Sequence, residues 1–391
     1  MAKKRIGILT GGGDVPGLNA VIKSVVYGAT QNGEYDVVGI RRGWMGLTHP
    51  NLDNGTDDEF ILPLDRENTR RIDRTGGTFL HTSRTKPSRI RAESLPPHVQ
   101  ARLGLVKEAE PGIVDMTPIV LENLQRLGID DLLTIGGDDT LSYSSVLHKA
   151  GFPVVAVPKT MDNDVPGTEY CIGFSTALTR AAEAVRRQRT TIGSHERIGI
   201  FRIFGRDAGF TALYTAYVAS IRCCIPECTF DLEELIDVLV DDKRNNPSCY
   251  ALIVLSEGAS WKGREVQEYG EPDAYGHRKK VNVAEALSDE VKRRSGAETL
   301  VSDLTYDLRS GSPDFLDKMI AYTFATMAVD CISDRGSGRM MAIRGGCYAD
   351  IEIPDPKEGA RRVDVDTMYN RERFRPNYGG KRGLPVFLTR A

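Results

Sequence analysis

The sequence predicts a doubly wound α/β fold, and two observations carry that prediction. Short apolar runs alternate with stretches of helical period, as parallel strands joined by crossover helices require. The apolar runs end in loops rich in glycine and carboxylates, where a doubly wound sheet places its ligands.

Arg5–Leu9 reads as the first strand and Gly11–Gly17 as a glycine-rich turn. Leu18, Val21, Ile22, Val25, Val26 and Ala29 then recur at helical spacing and predict an amphipathic helix. Val37–Ile40 is a second strand. Pro118–Leu127 is a helix that feeds the strand Asp131–Ile135, and Val154–Val157 is a strand ended by Pro158. Thr176–Arg189 is a helix with arginines on its later turns. Arg197–Ile203 and Tyr250–Leu255 are further strands, and Asp317–Ile332 is a long helix. The polar stretch Gly263–Lys280 reads as an exposed loop, and the chain from Asp355 onward as irregular. There is no internal repeat.

The 391 residues leave room for more than one domain. The formal net charge of −3 supplies no broad field for nucleic acid or an anionic membrane, and no basic domain appears. Positive charge for an anionic substrate must therefore be local. The apolar run Ile6–Leu9 is too short for a signal-peptide core or a membrane span, and no later run reaches that length. Seven cysteines, an odd number without a secretion signal, predict reduced thiols and a cytoplasmic protein. Cys223, Cys224 and Cys228 lack a second ligand pair and are read as structural. Six histidines show no metal-ligand spacing, so no zinc site is expected.

Four loops could carry chemistry, and each alone has a plainer reading. Thr10–Asn19 brings glycine backbone close to a helix start, which suits a phosphate but also a tight turn. It is neither a Walker A loop nor a clean dinucleotide fingerprint, since Pro16 takes the third glycine's place. In Gly136-Gly137-Asp138-Asp139-Thr140 the adjacent carboxylates could cap a helix or hold a hard cation. Pro158–Asp164 offers a carboxylate base beside Lys159, or only an Asx turn. Gly76–Thr85 offers hydroxyls and Arg84 to a phosphate, or is a flexible surface loop.

In this order the loops resemble the phosphofructokinase family. The likeness runs through Gly12–Asn19, Gly76–Arg84, Gly136–Thr140, Pro158–Asp164, Ile172–Phe174, Arg197, Phe204–Arg206, Ser256–Gly258 and Arg309–Pro313. It implies two doubly wound α/β domains with the active site between them. Residues 1–173 with 308–358 would bind the donor, and 174–307 with 359–391 the sugar phosphate. It also implies Mg²⁺-dependent transfer of a phosphoryl group to the 1-hydroxyl of fructose 6-phosphate. By that likeness Asp162 is the general base and Asp138 the Mg²⁺ carboxylate. Gly12, Arg84, Asp139, Thr140 and Lys159 would hold the donor. Thr160, Asp162, Phe204 (through its backbone), Gly205, Arg206, Glu257, Tyr306 and Arg309 would contact the sugar phosphate. Arg197 resembles an arginine that reaches the sugar's phosphate from a neighbouring subunit, which implies a homodimer or homotetramer.

The donor turns on Asp139. Relatives that use ATP typically carry glycine there, beside the α-phosphate. A carboxylate takes that space and adds like charge, costing about 4 kcal/mol at about 4 Å and an effective dielectric near 20. That is roughly a thousandfold in affinity. Lys159 would attract pyrophosphate and stabilise charge in the transition state. The pair Asp139 and Lys159 implies pyrophosphate as donor, with a reversible reaction serving glycolysis and gluconeogenesis. The alternatives are an ATP-dependent 6-phosphofructokinase, a kinase of another sugar phosphate such as sedoheptulose 7-phosphate, or an inactive binding module. The last is disfavoured because Asp138 and Asp162 are both present. Two departures stand out. Leu300 occupies the place of a second phosphate-binding arginine, and His81 replaces a smaller residue with no role assigned. No allosteric effector site is recognisable, so little allosteric control is expected.

Overall fold

The computed structural model describes residues 3–382 apart from 32, 54, 107, 265–267, 272–278, 281 and 381. Two sheets organise the chain. The larger has seven strands in the order Cys347–Glu352, Arg339–Arg344, Val154–Pro158, Asp131–Gly136, Lys4–Thr10, Tyr35–Ile40 and Ile61–Leu64. Its five inner strands run parallel, while each edge strand pairs antiparallel with its neighbour. The smaller sheet is all parallel, in the order Arg222–Cys224, Ala251–Ser256, Ile198–Ile203 and Thr299–Leu304.

Strands buried on both faces read as continuous apolar runs. Leu133, Ile135, Val155 and Val157 face one core, and Leu132, Val154 and Ala156 face another on the opposite side of the sheet. The smaller sheet repeats the alternation, with Phe201, Ile203 and Val254 on one face and Ile198, Ile200 and Ile253 on the other. One cluster of buried side chains joins the two sheets. It contains Ile6 and Ile8 from the first, Phe201 and Val254 from the second, and Ala177, Ala181 and Val185 from the Phe174–Ser194 helix between them. Asp317 ties that helix to the next long one, Phe315–Ser333. Fully buried, it accepts hydrogen bonds from the Tyr170 hydroxyl at 2.6 Å, the Gly173 N–H at 2.7 Å and the Thr176 N–H at 2.8 Å. It thereby satisfies N–H groups that a helix start leaves without partners.

Each strand and helix read from the sequence is present, with ends moved by up to five residues. The Phe174–Ser194 helix overruns its predicted span because Ile192 is also buried in the shared core. Sequence patterning missed the strand Thr299–Leu304, whose alternation is blurred by half-buried positions, and the antiparallel edges. Most of Gly263–Lys280 lies outside the described residues; within it, Glu268–Tyr269 pairs antiparallel with Lys279–Lys280. The segment after Asp355 is irregular in the main, yet Arg361, Val363 and Met368 are buried. Cys223 and Cys224 are buried and Cys228 partly so. No described helix is long and apolar enough to cross a membrane.

Candidate active site

Three of the four loops named above meet in one cleft of about 210 Å³, at the carboxyl ends of the strands. Gly12, Gly13, Gly137, Asp138, Asp139, Thr140, Lys159, Thr160, Asp162, Asp164, Arg206 and Arg309 are among its lining. Strands Lys4–Thr10, Asp131–Gly136 and Val154–Pro158 lie side by side, so the loops that follow them converge.

Close backbone approach explains the glycines. A Cβ on Gly11 would stand 2.4 Å from the Thr140 hydroxyl oxygen, and Gly12 has a left-handed φ of 76°. The Gly76–Thr85 loop is fastened to this turn. The Thr82 hydroxyl donates to the Gly12 carbonyl at 2.6 Å, and the Gly12 N–H donates to the Ser83 carbonyl at 3.3 Å. His81 turns that loop with φ of 58°, its carbonyl accepting from the Thr10 hydroxyl at 3.0 Å. Its Nε2 lies 3.2 Å from Arg41 Nη2.

The twelve-residue helix Asp138–Lys149 starts in the cleft, capped by Gly137. The positive end of its dipole favours an anion there. Asp138 is exposed, Asp139 half-buried and Thr140 buried. Lys159 is buried, with Nζ donating to the Gly13 carbonyl at 2.6 Å. Burial first, and the Arg309 guanidinium second, pull its pKa down to about 8.

Burial and the neighbouring Asp164 carboxylate push the Asp162 pKa up, and Arg309 opposes them. Among the described residues, Asp162 Oδ1 and the Thr140 hydroxyl are buried without a hydrogen-bond partner. Burial, then the charge of Asp138, raises Asp164 as well. A raised carboxylate beside an open hydrogen-bonding position is suited to taking a proton near neutral pH.

Of the acceptor-side residues, Thr160, Asp162, Arg206 and Arg309 line the cleft, and Phe204 and Tyr306 pack against Arg309. The Arg309 guanidinium lies 4.4 Å from the Phe204 ring centroid and its Nε donates to Met161 Sδ at 3.3 Å. Phe204 meets Tyr306 edge-on at 6.1 Å, and Tyr306 is itself 73% exposed. Arg206 Nε donates to Asp207 at 2.8 Å. Gly205 has φ of 125°, where a Cβ would meet the Ala208 carbonyl oxygen at 2.6 Å.

Of the predicted residues, Phe204, Gly205, Glu257, Tyr306, Arg84 and Arg197 are not part of the cleft lining. Arg84 is exposed, one residue beyond the Ser83 carbonyl that meets Gly12. Arg197 precedes strand Ile198–Ile203, so it lies at the far end, about 20 Å away at strand rise. Leu300 pairs with Gly199 at that same far end.

Sequence reasoning missed two arginines. Arg202 donates to both carboxylate oxygens of Asp303, at 3.0 and 2.9 Å, and stands 3.4 Å from Glu257. A charged residue inside the apolar run Ile198–Ile203 was the available signal. Arg361 is buried against the Asp162–Asp164 loop, and nothing in its polar, arginine-rich surroundings marked it.

The phosphofructokinase family profile matches residues 5–332. A Streptomyces coelicolor pyrophosphate–fructose 6-phosphate 1-phosphotransferase is 36% identical over 365 residues, covering 93% of this chain and 96% of its own length. An ATP-dependent 6-phosphofructokinase 3 of the same organism is 35% identical, covering 92% and 96%. The crystal structure of a pyrophosphate-dependent phosphofructokinase from Marinobacter aquaeolei superposes with a TM-score of 0.75 at 18% identity, covering 98% of this chain and 90% of that one. A fold of two α/β units, a cleft built from the matched loops and a profile spanning most of the length lead to one assignment: the chain belongs to the phosphofructokinase family of phosphotransferases.

Proposed function

We propose that this enzyme transfers a phosphoryl group from pyrophosphate to the 1-hydroxyl of fructose 6-phosphate, reversibly and with Mg²⁺. The observation that carries this reading is the placement of Asp139 and Lys159 in one cleft with Gly12. The carboxylate opposes an α-phosphate, and the ammonium attracts a short, highly charged donor. Relatives named for either donor are about equally similar, so overall identity does not choose between them.

The residues fit Mg²⁺. Among the described residues, no group of three or more His, Cys, Asp or Glu could hold a metal by itself. Mg²⁺ in phosphoryl-transfer sites takes one or two carboxylates and completes its shell with phosphate oxygens and water. Asp138, with Asp164 in support, supplies such carboxylates, and the ion when bound neutralises phosphate charge. Asp162 takes the proton of the 1-hydroxyl as its oxygen bonds to the terminal phosphorus. The bond to the bridging oxygen breaks and inorganic phosphate leaves. Arg206, Glu257, Tyr306, Arg309, Thr160 and the Phe204-Gly205 backbone hold the sugar phosphate. Residues 1–173 with 308–358 form the donor unit, and 174–307 with 359–391 the acceptor unit. Arg197, remote from its own cleft, serves a partner copy in a homodimer or homotetramer, and the enzyme works in the cytoplasm.

Initial rates with Mg²⁺ and fructose 6-phosphate, pyrophosphate against ATP, test the reading. A rate with pyrophosphate and none with ATP is expected. A rate with ATP alone overturns the donor, and a rate only with sedoheptulose 7-phosphate overturns the acceptor.

A pH dependence follows from Lys159, whose pKa is about 8. The cation that attracts the donor is present below that pH and lost above it. The kcat/KM for pyrophosphate should therefore fall as pH rises through this range, and Lys159→Met should flatten that limb. An unchanged limb in the variant would assign it to another group.

A further inference from the structure

Arg361 lies beyond residue 332, where the family profile ends, yet it grips the loop that carries the proposed base. It comes from the C-terminal segment that the sequence shows only as irregular. Its relative exposure is 9%. Its Nε donates to the Asn163 carbonyl at 3.2 Å, and Nη2 donates to the same oxygen. Nη2 also reaches the Glu169 carbonyl at 3.3 Å, and the Arg361 N–H donates to the Asp164 carbonyl at 2.7 Å. Asn163 therefore has both of its faces held. Its side chain spans the Glu169 carbonyl at 3.0 Å and the Cys171 N–H at 2.8 Å, while its carbonyl is clamped by the guanidinium. Asn163 also sits at φ of 55°, a left-handed conformation that asparagine adopts with the help of local hydrogen bonds.

The same segment also touches the chain just after the Phe204–Arg206 loop. The Arg361 guanidinium lies 4.6 Å from the Phe210 ring centroid, at the start of the helix Phe210–Ala219. Two residues on, the Val363 N–H donates to Glu227 Oε1 at 2.8 Å. The same oxygen accepts from the Gly209 N–H at 2.9 Å, just after the Phe204–Arg206 loop. Ala360, immediately before Arg361, lines the cleft. A strap of four residues thus connects the Asp162–Asp164 loop to the chain just after the Phe204–Arg206 loop.

We infer that Arg361 is a positioning residue: by clamping the Asn163 carbonyl from the C-terminal strap, it fixes the aim of the adjacent Asp162 carboxylate at the acceptor hydroxyl. The inference rests on the reading of Asp162 as general base. A planar fork can hold one carbonyl with two donors and lie flat on a ring, which an ammonium cannot. Misplacing a reacting group by an ångström costs up to about a hundredfold in rate.

The test is a double-mutant cycle with pyrophosphate and fructose 6-phosphate as substrates, each protein also being melted to check its fold. Arg361→Met should lower kcat by about ten- to a hundredfold while the KM for pyrophosphate moves by less than about threefold. Arg361→Lys, which keeps the charge but not the fork, should recover only part of kcat. In an Asp162→Asn background the Arg361→Met change should cost less than about threefold, because the group it aims is gone. An equal loss in both backgrounds overturns the inference, as does wild-type kcat in folded Arg361→Met. Should Arg361→Met fail to fold, folded Arg361→Lys with wild-type kcat overturns it, and a kcat loss in that variant confined to enzyme retaining Asp162 supports it. Near-wild-type activity of Asp162→Asn alone overturns the base assignment, and this inference with it. Loss in the cycle without that result refers to Arg361 alone.

Discussion

Asp162→Asn is expected to lower kcat by about a hundred- to ten-thousandfold, with little change in the KM of either substrate. The amide is isosteric, so packing around the buried side chain is kept. What disappears is the ability to take the proton of the acceptor hydroxyl as the new P–O bond forms. Burial and Asp164 already raise this carboxylate's proton affinity in the direction a base requires. Removing its charge also relieves repulsion from Asp164, so the melting temperature should hold or rise. Steady-state rates in both directions, with a thermal melt as control, make the measurement. A loss of under about tenfold would assign the proton to another group.

The second large effect concerns the donor. Asp139→Gly with Lys159→Met should weaken pyrophosphate use by about a thousandfold, since both its attraction and its transition-state cation are removed. The same variant should admit ATP weakly, because the carboxylate that opposed an α-phosphate is gone. Asp139→Gly alone, retaining Lys159, should accept both donors. Rates with each donor, and thermal protection by ATP, read the outcome. A double variant with neither an ATP-dependent rate nor ATP protection would remove the charge-and-space argument for Asp139.

Much of the fold and of the site was legible because the chemistry is local in sequence. Gly12, Lys159 and Asp162 lie in short loops after strands, Asp138 and Asp139 begin the helix that follows another, and parallel neighbouring strands bring these segments together. What was illegible depends on long-range packing. The clamp of Arg361 on Asn163 spans 198 positions, and no local pattern encodes it. Arg202 reads as an interruption of an apolar strand until Asp303, its neighbour across the sheet, gives it a partner. The strand Thr299–Leu304 escaped for a related reason: its first five positions are only half-buried or exposed, so period-two alternation fails there. Arg197 shows the converse. Its residue type and motif were plain, but its place at the far end of a strand is a fact of topology.

The shared core bears on how the enzyme can move. Ile8, Phe201, Ala181 and Phe324 belong to one buried cluster that runs from the larger sheet to the smaller. Interiors packed at crystal-like density do not shear smoothly, and opening them forfeits apolar burial at about 25 cal/mol per Å². A wide hinge rotation of one half against the other would tear that interior. Breathing of the cleft during turnover therefore belongs to its rim, to loops and exposed side chains such as Tyr306, while the frame beneath stays rigid and loses its structure on heating as one cooperative body.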